Sequence, residues 1–118
     1  MNENKASLTT ERVANICIVS VRGSVDRAFS QDLWRTLEQW SNVDQPCIVV
    51  DCTHLTYINS SSCGMFFHFH RICEERNGRL ALCGLQEKIL AMLKMLGLQP
   101  LLHITETREQ ALIARSNV

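Results

Sequence analysis

The stretch Cys47-Ile48-Val49-Val50-Asp51-Cys52-Thr53-His54-Leu55-Thr56-Tyr57-Ile58-Asn59-Ser60-Ser61-Ser62-Cys63-Gly64 decides the fold. Its apolar run, Cys47 to Asp51, is of the kind buried on both faces of a parallel sheet. A polar turn then delivers three consecutive serines to the start of a helix. Serine hydroxyls at a helix N-terminus cap free backbone N–H groups. The same place accepts a phosphate, because the helix dipole and those N–H groups favour negative charge. The segment therefore has two readings: an ordinary helix cap, or a phosphorylation switch.

Downstream, a helix is expected from Ser60 or Ser61 to Arg76, with Asn77-Gly78 as its left-handed stop. Cys63, Phe66, Phe67, His70 and Cys73 form a stripe of helical period assigned to the core. Met65, Phe69 and Ile72 form a second stripe on another face. Met65 and Phe69 thus either face a partner or lie buried under the C-terminal helix. Arg79 to Cys83 reads as another core strand, Glu87 to Leu96 as a helix closed by Gly97, and Leu101 to Ile104 as a short closing strand. Thr107-Arg108-Glu109-Gln110 matches a capping box and opens a last helix through Ala114.

Upstream, the β-branched run Ile16 to Val21 argues for a strand, paired with an edge strand around Ala6 to Glu11 through a turn near Ala14-Asn15. Gly23 to Asp26 is expected to be a loop. A helix from Ser30 to Ser41 places Leu33, Leu37 and Trp40 at helical spacing. Strands alternating with helices give an α/β domain with a mixed, mostly parallel sheet and about four helices.

The 118 residues fit one domain, with a core from about 14 to 114 and a flexible start at 1–5. A hydrophobic fraction of 46% and a charged fraction of 20% are those of a globular protein. Twelve basic and twelve acidic residues give zero formal charge, which argues against a nucleic-acid partner. Met1-Asn2-Glu3-Asn4-Lys5 lacks the build of a signal peptide, and no apolar run approaches the ~20 residues that cross a bilayer. A cytoplasmic protein without membrane insertion is expected. The six cysteines show no CxxC pair and no zinc-finger spacing, so they read as small core hydrophobes. His70 reads as a core histidine and His68 as a surface one. No metal site and no cofactor are expected.

Four motifs, taken in order, resemble the STAS domain and in particular the anti-sigma factor antagonists. Gly23-Ser24-Val25-Asp26 is similar to the family's Gly-x-hydrophobic-Asp motif. Val49-Val50-Asp51 with Leu55 to Ser61 resembles its strand, loop and Asp-Ser-Ser phosphosite. Gly78 to Leu82 resembles its Gly-Gly-x-hydrophobic strand start, and Leu96-Gly97-Leu98 the Gly-Leu after its third helix. The resemblance covers about Ala14 to Ala114. It departs at Asn59, where aspartate is commoner, and at Ser62, where glycine is usual.

The resemblance implies a single STAS-like domain that is a binding protein, not an enzyme, with Ser60 phosphorylated by a partner kinase. The implied partners are an anti-sigma factor that is itself a GHKL-type serine kinase, and a PP2C-type phosphatase that resets the cycle. The unphosphorylated form would bind the kinase and free its target; phosphorylation would end the binding. Asp26, Asn59, Ser60, Ser61, Gly64 and Met65 are the expected docking residues, on a monomer or weak dimer. Asp26 also reads as a plain turn aspartate. The family's other jobs supply the alternative: a regulator or accessory subunit of a polysaccharide, secretion, stress-scaffold or lipid-transport pathway. Catalysis has little in its favour, since the Gly-x-Ser-x-Gly elbow and any phosphate-cradling glycine loop are missing.

Overall fold

The computed structural model describes residues 5–116, so the expected flexibility of 1–4 lies outside the described residues. The elements run β1 (Ser7–Val13), β2 (Ile16–Val25), α1 (Arg27–Ser41), β3 (Cys47–Ile58), α2 (Ser60–Glu75), β4 (Arg79–Cys83), α3 (Glu87–Met95), β5 (His103–Thr105) and α4 (Arg108–Ser116). A 3-10 turn at Gln99–Leu101 links α3 to β5. The five strands form one sheet in the order β1-β2-β3-β4-β5. The first pair is antiparallel, and the other three pairs are parallel. This is the mixed, mostly parallel α/β domain that the alternation of patterns implies.

Side chains along the strands alternate between two packed faces, as a pleat of period two requires. Cys17, Val19, Ile48, Val50, Leu80 and Leu82 join Leu33 and Leu37 of α1, Phe66 and Cys73 of α2, and Ile89 and Leu93 of α3 in the main core. Ile18, Val49, Ala81 and Cys83 point the other way and meet Ala111 of α4. All six cysteines are buried. Burial pushes the thiols of Cys17, Cys63 and Cys83 up to about 11 and that of Cys73 up to about 12, so these thiols stay protonated. They act as small hydrophobes rather than nucleophiles.

Several boundaries differ from the sequence reading. Gly23 to Val25 is not a loop: β2 continues through it, with Gly23 at φ +79° and register shifts on either side that absorb the irregularity. α1 accordingly starts at Arg27, not Ser30. β3 reaches Ile58 rather than stopping at Asp51, because Leu55 and Ile58 pair with Gly23 and Val25 and are fully buried. Within α2, Phe69 and Met65 are core, whereas Phe67 and His70 are only half-buried. The cover over α2 is α1 and not the C-terminal helix, which packs on the other face of the sheet, and Phe69 meets Trp34 of α1 edge to face at 4.7 Å. His68, on the surface as expected, stacks on the same Trp34 ring.

Three turns are set by local chemistry. The left-handed residue after α2 is Asn77 at φ +62°, while the Gly78 N–H donates to the Cys73 carbonyl at 2.7 Å. Asn77-Gly78 is thus the stop expected, and Gly78 has a second role: a Cβ there would overlap the backbone of Pro46, which leads into β3. The capping box of α4 forms, with the Gln110 N–H donating to Thr107 Oγ1 at 3.1 Å and the Thr107 N–H to Gln110 Oε1 at 3.2 Å. Ala14 in the β1–β2 turn sits at φ +56°, a region that costs a residue with a Cβ. Ala14→Gly is therefore expected to raise stability by roughly 0.5 kcal/mol, read as a higher urea midpoint at unchanged slope.

Candidate functional site

β2 and β3 run side by side, and the last pair in their register is Val25 with Ile58. The next residue of each chain, Asp26 and Asn59, therefore leaves the sheet at the same edge. Each caps a helix. The Phe29 N–H donates to Asp26 Oδ1 at 2.8 Å, and the Ser62 N–H donates to Asn59 Oδ1 at 2.8 Å. Asp26 is thus an N-cap rather than a turn residue, and the two helix N-termini, each with its free N–H groups, open at one edge. That edge is the carboxyl end of the parallel strands, where ligands of open α/β sheets commonly bind.

Asn59, not Ser60, is the N-cap of α2; Ser60 is the first helical residue. Asparagine suffices because the cap needs only a side-chain oxygen acceptor, which Asn and Asp supply about equally well. The Ser61 hydroxyl also donates to Asn59 Oδ1, at 3.1 Å, and Ser62 is buried. Ser60 differs from both: it is exposed, and its hydroxyl has no hydrogen-bond partner among the described residues. With three serines in a row, the cap occupies one hydroxyl, the core takes another, and one stays available.

Gly64 lies one turn beyond Ser60 on the same side of the helix and is exposed. A Cβ at Gly64 would meet nothing within 4 Å, so the packing of this chain does not call for glycine here. Ser60 and Gly64 together make a bare strip of helix onto which another surface could press closely. Met65 is a correction. Expected at the docking surface, it is only 6% exposed and packs in the main core. Five residues beyond Ser60, it points about 140° around the helix, toward the sheet.

A cleft of about 1080 Å³ lies on the α4 side of the sheet and is lined by residues such as Glu11, Ser20, Arg22, Asp51, His54 and Arg108. Its floor is an ion-pair network. Arg108 Nη2 stands 3.0 Å from Asp51 Oδ2, Arg108 Nη1 3.1 Å from Glu11 Oε1, and Thr53 donates to Asp51 Oδ1 through both its backbone N–H and its hydroxyl. Burial pushes the Asp51 carboxyl up, but the Thr53 hydrogen bonds and Arg108 outweigh it and hold the group below its ordinary value. Sequence reasoning missed this network, because Arg108 and Asp51 are 57 residues apart. It also missed a grouping of His70, Glu74 and His103. His70, read from the sequence as a core histidine, is only half-buried. Glu74 follows it at i+4, a signal readable in the sequence, and β5 adds His103.

No protein of curated function matches the sequence. Among solved structures, an anti-sigma factor antagonist from Mycobacterium paratuberculosis is 16% identical, with a TM-score of 0.86 over 98% of this chain and 97% of that one. The unphosphorylated anti-sigma factor antagonist SpoIIAA is 18% identical, with a TM-score of 0.75 over 95% of this chain and 98% of its own. The phosphorylated form of the Bacillus cell fate determinant SpoIIAA is also 18% identical, with a TM-score of 0.71 over 92% and 98%. These likenesses establish the fold. The family model of the STAS domain matches residues 7–111, nearly the whole chain. The chain therefore belongs to the STAS domain family.

Proposed function

We propose that this chain is a regulatory binding protein whose docking is switched by phosphorylation of Ser60. One observation carries the reading: the Ser60 hydroxyl is exposed and unpartnered among the described residues, at the N-terminus of α2 beside the α1 cap Asp26. The docking strip is Asp26, Asn59, Ser60, Ser61 and Gly64. The unphosphorylated strip binds an anti-sigma factor that is a GHKL-type serine kinase, and the phosphate ends that binding until a PP2C-type phosphatase removes it. The names of the structural neighbours, anti-sigma factor antagonists with one in a phosphorylated form, support this reading.

The protein acts in the cytoplasm by binding and not by catalysis. No side chain among the described residues hydrogen-bonds the Ser60 hydroxyl, so no base is placed to activate it as a nucleophile. Nor is any described helix long and apolar enough to cross a membrane.

Affinity capture from the native cell tests the proposal, with Ser60→Ala and Ser60→Glu chains as paired baits. Ser60→Ala is expected to retain a GHKL-type kinase that Ser60→Glu does not. Capture of a transporter ATPase by both baits would overturn it in favour of an accessory-subunit role. Gly64 offers a separate check. Gly64→Ala is expected to stabilise the fold by about 0.5–1 kcal/mol, since glycine inside a helix costs that much relative to alanine. The same variant is expected to bind the kinase more weakly, seen by calorimetry as opposite signs for folding and docking.

A further inference from the structure

The C-terminal half of α2 and the start of β5 bring together three side chains that the phosphosite does not use. His70 and Glu74 stand one turn apart on α2, and His103 opens β5. One ligand atom from each lies within 4.8 Å of the other two. His103 Nε2 is 3.3 Å from Glu74 Oε2, and the His70 and His103 rings meet edge to face with centroids 5.1 Å apart.

A simple ion pair between His103 and Glu74 would leave one fact unexplained. Nδ1 of His70 is buried and has no hydrogen-bond partner among the described residues. The backbone of Leu80 comes near the ring but makes no hydrogen bond to Nδ1. A buried, unserved imidazole nitrogen is uncommon and calls for a reason.

We propose that His70, Glu74 and His103 form a binding site for a late first-row divalent cation, with Zn2+ the best fit. Two imidazoles and a carboxylate are a tetrahedral zinc set that leaves the fourth position to water. Two ligands held about 2.0–2.1 Å from one ion at the tetrahedral angle lie about 3.3 Å apart, the spacing His103 and Glu74 already have. The supporting backbone is firm. α2 is anchored by buried Phe66, Phe69 and Cys73, and His103 pairs with Ala81 in the sheet. Glu74 and His103 side chains are 50% and 35% exposed, so an ion reaches them from solvent and can keep its water. A bound ion would clamp the far end of the phosphosite helix to the edge strand.

Titrating Zn2+ into the reduced full-length protein tests the site by calorimetry and by melting temperature. The expected result is one equivalent bound and a rise in Tm of several degrees at a hundredfold excess over Kd. Because His70 is half-buried and its loss could disturb folding, the variants are Glu74→Gln and His103→Ala, checked by circular dichroism. Each is expected to weaken Zn2+ at least about 100-fold, while His54→Ala leaves it unchanged. Co2+ spectra separate this site from the cysteines: nitrogen and oxygen ligation gives no thiolate charge-transfer bands. No binding by wild type, undiminished binding by either variant, or thiolate bands with Co2+ would each overturn the proposal.

Discussion

A Ser60→Asp chain is expected to bind the proposed partner kinase at least about 100-fold more weakly than Ser60→Ala, while the two unfold at nearly the same denaturant concentration. The separation of these effects follows from position. Ser60 is the first residue of α2, whose cap is formed by the Asn59 side chain and not by the Ser60 hydroxyl. Removing that hydroxyl costs the fold no hydrogen bond. Adding negative charge at a helix N-terminus is favourable by roughly 0.3–1 kcal/mol. A phosphate, with about −1.5 to −2 charge, therefore leaves this fold in place or slightly steadies it. The loss comes from docking. A dianion pressed against a surface without a matching cation costs several kcal/mol in desolvation. A few kcal/mol already exceeds a hundredfold in affinity. No conformational change is needed. Calorimetry of both variants with the captured kinase checks the binding, and urea unfolding checks the fold.

Arg108→Ala is expected to lower stability by about 2–3 kcal/mol, and Asp51→Asn by about 2 kcal/mol, both measured as urea midpoints. Arg108 binds Asp51, Glu11 and Ser20 at once, tying the first turn of α4 to β1, β2 and β3. Breaking a fully buried pair costs more, about 3–5 kcal/mol. Here the Arg108 side chain is 33% exposed, and solvent screening reduces the figure. Asp51, at 13% exposure, is the costlier group to leave unpaired. Its carboxyl is held below the ordinary value of 3.8, so its contribution is fully present above that pH. The contribution is lost as pH falls from there through the depressed folded value. Asp51→Asn should therefore flatten the acid limb of the stability curve, with little change in slope near neutrality. A variant within about 0.5 kcal/mol of wild type would show that the α4 contact is incidental.

What was legible in the sequence was whatever has a local physical signature. The apolar run Cys47 to Val50, the helical spacing of Leu33 and Leu37, and the Thr107–Gln110 capping box all appear where their patterns place them. Two classes of feature were harder to read. Strand ends depend on a neighbour: β2 and β3 extend each other as far as Val25 and Ile58, and no propensity within Gly23 to Asp26 announces it. Contacts between distant residues, such as Asp51 with Arg108, carry no local pattern. At the candidate site, the motif located the serines, but their division of labour rests on side-chain geometry. Met65 shows the limit most clearly. Gly64 before it faces solvent and Phe66 after it is buried, and the turn of the helix directs Met65 into the core with Phe66.

Phosphosite mapping by mass spectrometry, after incubation of the full chain with its captured kinase and ATP, tests the account most directly. A single phosphate on Ser60, with loss of the complex as the phosphate accumulates, is the result expected. Phosphate on Ser61 or elsewhere alone, or a complex that survives complete modification of Ser60, would contradict it.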